Sequence, residues 1–250
     1  MPDGATELSR IKVDFHTHTS HSHDATLSPS ELVDRARAAG LDRIAVTDHN
    51  RMDGALEAAA LDPSLVIIGE EVDCADGTHL IGLCLHERIP AGLRMEEVVE
   101  RIRDQGGLVY APHPYAYLTD PGGRAQRTLS VADMVEVHNA RAFLPRWNRR
   151  AADAARATGL PGVAGSDSHF GYEVGSAFTE MPSFDGPASL RAALEDARPV
   201  GIHTSMPLVH VASVGVHAIR LLSGRVPPMD TGAVAGVSPG IRQRARRSSR

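Results

Sequence analysis

The 250-residue sequence predicts an α/β protein whose strands close into a barrel, and three observations carry that expectation. Short apolar runs alternate with helical patterns from residue 11 to about residue 203, which is the signature of a parallel sheet. At least six such units fit within roughly 200 residues, and a closed barrel accommodates them better than an open sheet. Almost every strand also delivers a histidine or carboxylate at its carboxyl end, where barrel enzymes build their sites.

Each element has a local reason. Ile11–Phe15 reads as the first strand. Ser28-Pro29-Ser30-Glu31 combines a capping box with proline at the first helical position, and Gly40 ends that helix. Arg43–Thr47 is a strand and Gly54–Leu61 a short helix. Leu65–Ile68 and His79–Leu85 read as neighbouring strands, joined as a hairpin across Asp76-Gly77. Glu96–Gln105 is helical and stops at Gly106-Gly107. Leu108–Ala111 and Met134–Val137 are strands separated by a polar loop, Thr119–Thr128. Pro145 opens a helix that closes near Gly159, and Gly162–Gly165 is the strand after it. A short strand at Ala177–Met181, a helix at Pro187–Ala197 and a last strand at Val200–Ile202 complete the pattern. Beyond Pro207 an amphipathic helix fits Leu208–Leu222.

Composition narrows the class. Hydrophobic residues make up 42%, enough for a core, yet aromatics are only 4% and are outnumbered by 13 histidines. Imidazole is poor core material and a good metal ligand. The net charge of −5 hides an asymmetry, because residues 241–250 hold five arginines and no acid. Without them 21 basic residues face 31 acidic ones, so the body carries −10, which opposes capture of a nucleic-acid backbone. Cys74 and Cys84 are the only cysteines, which excludes a disulfide framework and a cysteine-rich zinc site. Residues 1–10 lack an apolar signal-peptide core, and Pro207–Leu222 is too short to span a bilayer. A soluble, cytoplasmic protein with no membrane partner is expected.

The titratable residues fall in a pattern. Asp14, His16 and His18 alternate at the end of the first strand and can share a face. Asp48-His49, Glu70-Glu71, His113, His138 and the pair Asp167 and His169 follow later strands, and His79 starts one. Imidazole and carboxylate without thiolate suit Mn, Fe or Zn in an open catalytic site, whereas magnesium alone prefers oxygen ligands. An isolated histidine such as His86, His210 or His217 reads as structural. The set as a whole does not, because burying it without a cation carries a large desolvation cost.

These residues resemble the PHP (polymerase and histidinol phosphatase) superfamily: DFHTH at 14–18, HD at 23–24, TDHN at 47–50, GEEV at 69–72, HLIGL at 79–83, PHP at 112–114 and GSDSH at 165–169. The resemblance covers roughly residues 12–203 in the right order, and SAFTEMPSFDGPASLRAAL resembles the segment that often follows compact bacterial members. It implies a distorted, TIM-like seven-unit (βα) barrel over residues 11–205, with 170–205 as the PHP-associated segment and the active site at the strand carboxyl ends. Residues 206–226 are then a C-terminal extension with helical potential, and the Arg/Gly/Pro/Ser-rich residues 227–250 a disordered tail. The resemblance also implies two to three divalent ions (Mn, Fe or Zn) held by His16, His18, Asp24, His49, Glu71, His79, His113, Asp167 and His169. His23 is the alternative to Asp24. Glu71 is preferred to Glu70 as the bridging carboxylate, and Asp14 and Asp48 are cast as groups orienting neighbouring imidazoles.

The expected reaction is hydrolysis of a phosphate monoester by a metal-bound hydroxide. Arg51, directly after TDHN, and Arg141, just after His138-Asn139, are candidates to bind phosphate, and His138 to protonate the leaving oxygen. The partner is a small phosphorylated substrate. Only 33 residues separate His79 from His113, leaving no room for the insertion that covers the substrate in some nucleotide-processing relatives. An exonuclease acting on RNA or DNA ends is the alternative enzyme, and a metal-stabilised scaffold without turnover the alternative of another class.

Overall fold

The computed structural model describes residues 10–116, 123–205 and 207–223. Nine strands form one sheet: β1 (Arg10–Thr17), β2 (Arg43–Val46), β3 (Val66–Asp73), β4 (His79–Leu83), β5 (Leu108–Ala111), β6 (Met134–Asn139), β7 (Gly162–Gly165), β8 (Ala177–Pro182) and β9 (Arg198–Gly201). Their order is β7-β6-β5-β4-β3-β2-β1-β8-β9. The helices are α1 (Pro29–Ala38), α2 (Asp53–Leu61), α3 (Met95–Asp104), α4 (Arg124–Val131), α5 (Pro145–Thr158), α6 (Pro187–Ala193) and α7 (Pro207–Leu222).

The sheet curls into a nearly closed barrel because its two parallel ends meet. Thr17 at the end of β1 bridges Ser168 just past β7. There the His18 N–H donates to the Ser168 carbonyl (2.9 Å) and the Asp167 N–H to the His16 carbonyl (2.7 Å). Lower down, the Ala164 N–H of β7 donates to the Thr179 hydroxyl of β8 (2.8 Å). Val13, Phe15, Ile81, Leu83, Leu108, Tyr110 and Met134 fill the interior, all fully buried. Each such large side chain contributes about 1.5–3 kcal/mol. Outside, α1 and α2 cover β2 and β3, while α3 covers β4 and β5.

The sheet is mixed rather than parallel throughout, which corrects the expectation from strand–helix alternation. β4 runs antiparallel to both β3 and β5, and β8 runs antiparallel to β1 and β9. The reason is the connection: β3 and β4 are joined by a turn at Asp76-Gly77, too short for the crossover a parallel pair needs. Gly77 takes a φ of 75° in that turn. A second difference lies in the expected polar loop Thr119–Thr128. Residues 117–122 lie outside the described set, but α4 begins at Arg124. Its buried face is Ala125, Thr128 and Leu129, with one large apolar residue, so its helical periodicity is faint. The expected Pro187–Ala197 helix ends at Ala193 and continues as one tight turn, Leu194–Asp196.

Local signals at helix ends act as read. The Glu31 N–H donates to the Ser28 hydroxyl, and the Ser28 N–H donates back to Glu31 Oε2. Gly107 is required by close approach, since a Cβ there would lie 2.6 Å from the Leu83 carbonyl. Among the described residues no helix is long and apolar enough to cross a membrane. Residues 227–250, read as a tail, lie outside the described residues.

Candidate metal centre

The barrel brings nine of the sequence candidates to one rim. β1 delivers His16, His18 follows just past its end, and the loop beyond carries Asp24. The β2–β3 ladder continues past β2: Glu71 donates its N–H to the Asp48 carbonyl (3.2 Å) and accepts that of Asn50 (2.7 Å). His49 and Glu71 therefore lie side by side. His79 reaches the same rim because β4 is antiparallel, so its first residue pairs with Asp73 at the end of β3. His113 and Asp167 follow β5 and β7 with φ of 26° and 53°. Such positive values in non-glycine residues mark backbone strain at the site. The strain at His113 is held by its N–H, which donates to Glu136 Oε2 (2.7 Å).

Glu71 is the hub. Its Oε2 lies 3.2 Å from His16 Nε2, 3.4 Å from His18 Nε2 and 3.4 Å from His49 Nδ1. Its Oε1 lies 3.1 Å from His79 Nδ1 and 3.2 Å from His113 Nε2. Asp167 Oδ1 sits 3.2 Å from His18 Nε2 and 3.6 Å from His16 Nε2. Asp24 Oδ2 lies 2.9 Å from His169 Nε2, with Oδ1 4.0 Å from His49 Nε2. Four overlapping groups of ligand atoms, each within 4.8 Å, result: His18, His49 and His169; His16, His113 and Asp167; His16, His18 and Glu71; Glu71, His79 and His113. Burial pushes the Glu71 carboxyl up, but His49, His16 and His113 outweigh it and hold it well below the usual range.

Hydrogen bonding tests whether these residues suit a cation. His16 Nδ1 faces Glu136 Oε1 at 3.1 Å, so it carries the proton and Nε2 presents a lone pair. His18 Nδ1 faces Ser22 Oγ (3.2 Å), whose own proton goes to Asp48 Oδ1 (2.7 Å). His18 therefore also donates from Nδ1 and presents a lone pair at Nε2. His169 Nδ1 donates to the Asp167 carbonyl (2.8 Å), which leaves its Nε2 lone pair facing Asp24. The Nε2 atoms of His16 and His18 are 3.0 Å apart. With Nδ1 donating, these rings turn Nε2 toward the carboxylate oxygens, and that contact is met either by a second ring proton, which the carboxylates favour at His16 and His169, or by a divalent cation that displaces it. A proton is a poor substitute at His18, where burial and the neighbouring His169 push the imidazole down to about 3. Asp24 Oδ1 and His49 Nδ1 are buried without hydrogen-bond partners, which fits ligand atoms aimed at an ion.

Other sequence candidates divide. Arg141 is buried at the wall of the cavity, close enough to Asp167 to lower its carboxyl. Arg51 instead turns to Asp53 at the start of α2, with Nε and one terminal nitrogen at 3.0 and 2.7 Å. His138 is not brought to the cluster: its ring packs over Gly201 of β9, where a Cβ would lie 2.2 Å from Nε2. Strand alternation turns Glu70 away from Glu71, to accept the Ile89 N–H (2.8 Å), and burial pushes its carboxyl up to about 8. His23 lines the cavity, its ring 5.1 Å from that of His49. Asp48 acts on His18 through Ser22, whereas Asp14 accepts the backbone N–H groups of His16 and Ser166.

Sequence reasoning missed Glu136. It holds His16 with one oxygen and, with the other, the N–H of His113 and the amide of Asn139 (3.0 Å). Asn139 in turn donates to Asp167 Oδ2 (3.1 Å). The available signal was a lone carboxylate within the apolar run of β6. Glu136→Ala should weaken metal binding by about tenfold to a hundredfold, read by metal titration, as outer partners of ligating imidazoles do.

Comparisons with known proteins place the chain in a family. A family model described as PHP domain matches residues 14–121, and one described as PHP-associated matches residues 145–199. An uncharacterized protein of Methanocaldococcus jannaschii is 37% identical over 52% of this chain and 82% of its own length. A 3',5'-nucleoside bisphosphate phosphatase of Chromobacterium violaceum is 35% identical over 42% of this chain. A 5'-3' exoribonuclease of Haemophilus influenzae is 35% identical over 37% of it. The chain spans only 39% and 36% of the length of those two enzymes. Among solved structures, a two-domain protein of Bacteroides vulgatus containing a predicted PHP-like metal-dependent phosphoesterase superposes with a TM-score of 0.60. It is 19% identical, covering 78% of this chain and 65% of the other.

Proposed function

Because the chain belongs to the PHP family of metal-dependent phosphoesterases, we propose that it hydrolyses a small phosphate monoester at the rim cluster, with two to three Mn, Fe or Zn ions bound. The carrying observation is the convergence of the His16, His18 and His169 lone pairs with Glu71, Asp167 and Asp24 beneath a cavity of about 630 Å³. Clustered divalent cations supply an activated water at neutral pH and neutralise charge on the phosphoryl group.

The chain's own residues do the rest. Glu136 and Ser22 lock the His16 and His18 rings so that their Nε2 atoms aim inward without reorganisation. Glu71 and Asp167 supply the negative charge that gathers cations under the cavity. Arg141 is the residue best placed to hold phosphate oxygens, because its guanidinium is fixed by Ser213 (2.9 Å) on the cavity wall. Arg141→Ala should raise KM by about tenfold to a hundredfold while kcat falls by less, the pattern of lost ground-state binding. Unchanged kinetics would remove Arg141 from the site.

Nucleic-acid ends are the competing substrate, favoured by the similarity to the exoribonuclease. Against it stands the net charge of −10 on the body outside residues 241–250. A panel of small monoesters run beside a labelled, 5'-phosphorylated oligonucleotide on the same metal-loaded protein decides between them. Faster turnover of monoesters is expected, and faster turnover of the oligonucleotide would reverse the assignment.

A further inference from the structure

We propose that α7 sets the substrate class of this site, confining it to compact phosphomonoesters by walling the metal cavity on the side opposite the cluster. The inference rests on reading that cavity as the phosphoester site. α7 lies outside every motif that marks the metal cluster, and both family matches end before it begins.

The helix is fastened at two places across the cavity. Near its middle, Ser213 accepts a hydrogen bond from the Arg141 guanidinium (2.9 Å), and both side chains are buried. Near its end, Arg220 donates to the carbonyls of Ser22 and Ala25, in the loop that carries Asp24. Between these points the His217 ring packs edge-on to His23 at 4.5 Å, and Val214 and His217 line the cavity facing His49 and Glu71. Residues 213, 217 and 220 recur at the spacing of one helix face, so one side of a single helix borders the cavity. The cavity, about 630 Å³ and still open to solvent on part of its boundary, falls in the range of small-molecule pockets, and with α7 along one side it lacks the continuous groove that a nucleic-acid strand tracks. Arg141 couples the two functions, since the group at the phosphate end of the cavity is also the anchor of its cover.

The test uses full-length, manganese-loaded protein and two variants. Arg220→Ala frees the end of α7 and removes no metal ligand, and metal content measured on each protein checks that the Asp24 loop it was bonded to still holds its ion. Val214→Trp fills the cavity from an exposed position where folding is not at stake. Initial-rate competition assays, which read affinity as a Michaelis or inhibition constant, employ inorganic phosphate, phenyl phosphate and a short 5'-phosphorylated single-stranded oligonucleotide. Inorganic phosphate should bind all three proteins alike. The oligonucleotide should bind Arg220→Ala at least about tenfold more tightly than wild type, and phenyl phosphate should bind Val214→Trp about tenfold more weakly. Equal oligonucleotide affinity in wild type and Arg220→Ala, or a Val214→Trp protein indifferent to phenyl phosphate, would overturn the role of α7. Failure of the underlying reading looks different: wild type then hydrolyses no monoester, and calorimetric titration of the ligands left unhydrolysed still gives the affinity ratios among the three proteins that decide what α7 does.

Discussion

Glu71→Gln should cost at least about a thousandfold in kcat/KM, close to the loss expected when a metal-assisted hydrolase loses its ion cluster. The reason is the position of the carboxylate. Five imidazoles, those of His16, His18, His49, His79 and His113, lie within 3.4 Å of its two oxygens. An amide keeps the shape but offers one acceptor and a donor, so one of the two sides of the cluster meets an N–H where a cation should sit. Metal content should fall together with activity, and circular dichroism should report a folded barrel, because the core lies below the rim. Full metal content with activity within about tenfold of wild type would show that Glu71 is not shared between ions.

Stripping the metal should lower the thermal midpoint by several degrees and returning manganese or zinc should restore it. At a free metal concentration of 100 Kd, binding to the native state alone adds about 2.7 kcal/mol. For a chain of this size that is about 5–10 °C. The same site predicts a pH dependence with a definite sign. Without metal, burial lowers His79, but its contacts with Glu71 and Asp73 outweigh that and raise it to about 9. His16 is likewise held well above its ordinary value by Asp167, Glu136 and Glu71 against the effect of burial. Both must give up a proton to bind a cation, so apparent metal affinity rises with pH up to at least about 9. Calorimetry in two buffers of different ionisation heat reads the protons released. Affinity that falls between pH 6 and 9 would contradict these ligands.

Much of the site was legible because strands have a period of two. His16 and His18 share a face, whereas Asp167 and His169 lie past the end of β7 and meet through the left-handed turn at Asp167 (φ 53°), within a few ångströms of that pair. The same period separates Glu70 from Glu71. His79 was legible as a motif residue, but its reason is topological: only the antiparallel turn of β4 returns it to the rim. Glu136 stayed hidden because a single carboxylate in an apolar strand has no spacing partner, and its partners His16 and His113 lie 120 and 23 residues away in sequence. His138 misled for a related reason. Its place after a strand suggested the rim, but β6 slips register between Glu136 and His138 and its ring is carried onto β9. α7 was legible as an amphipathic helix, yet its seat depends on Arg141 meeting Ser213 across 72 residues, which no local pattern encodes.

The most direct test of the metal cluster and its chemistry is elemental mass spectrometry on the purified protein, with a phosphatase screen on the same sample. Two to three Mn, Fe or Zn ions per chain, with turnover of a small monoester that chelation abolishes and metal restores, is the predicted result. Substoichiometric metal and no turnover after reloading would contradict it, and would mean that the converging lone pairs of His16, His18 and His169 serve some purpose other than holding cations.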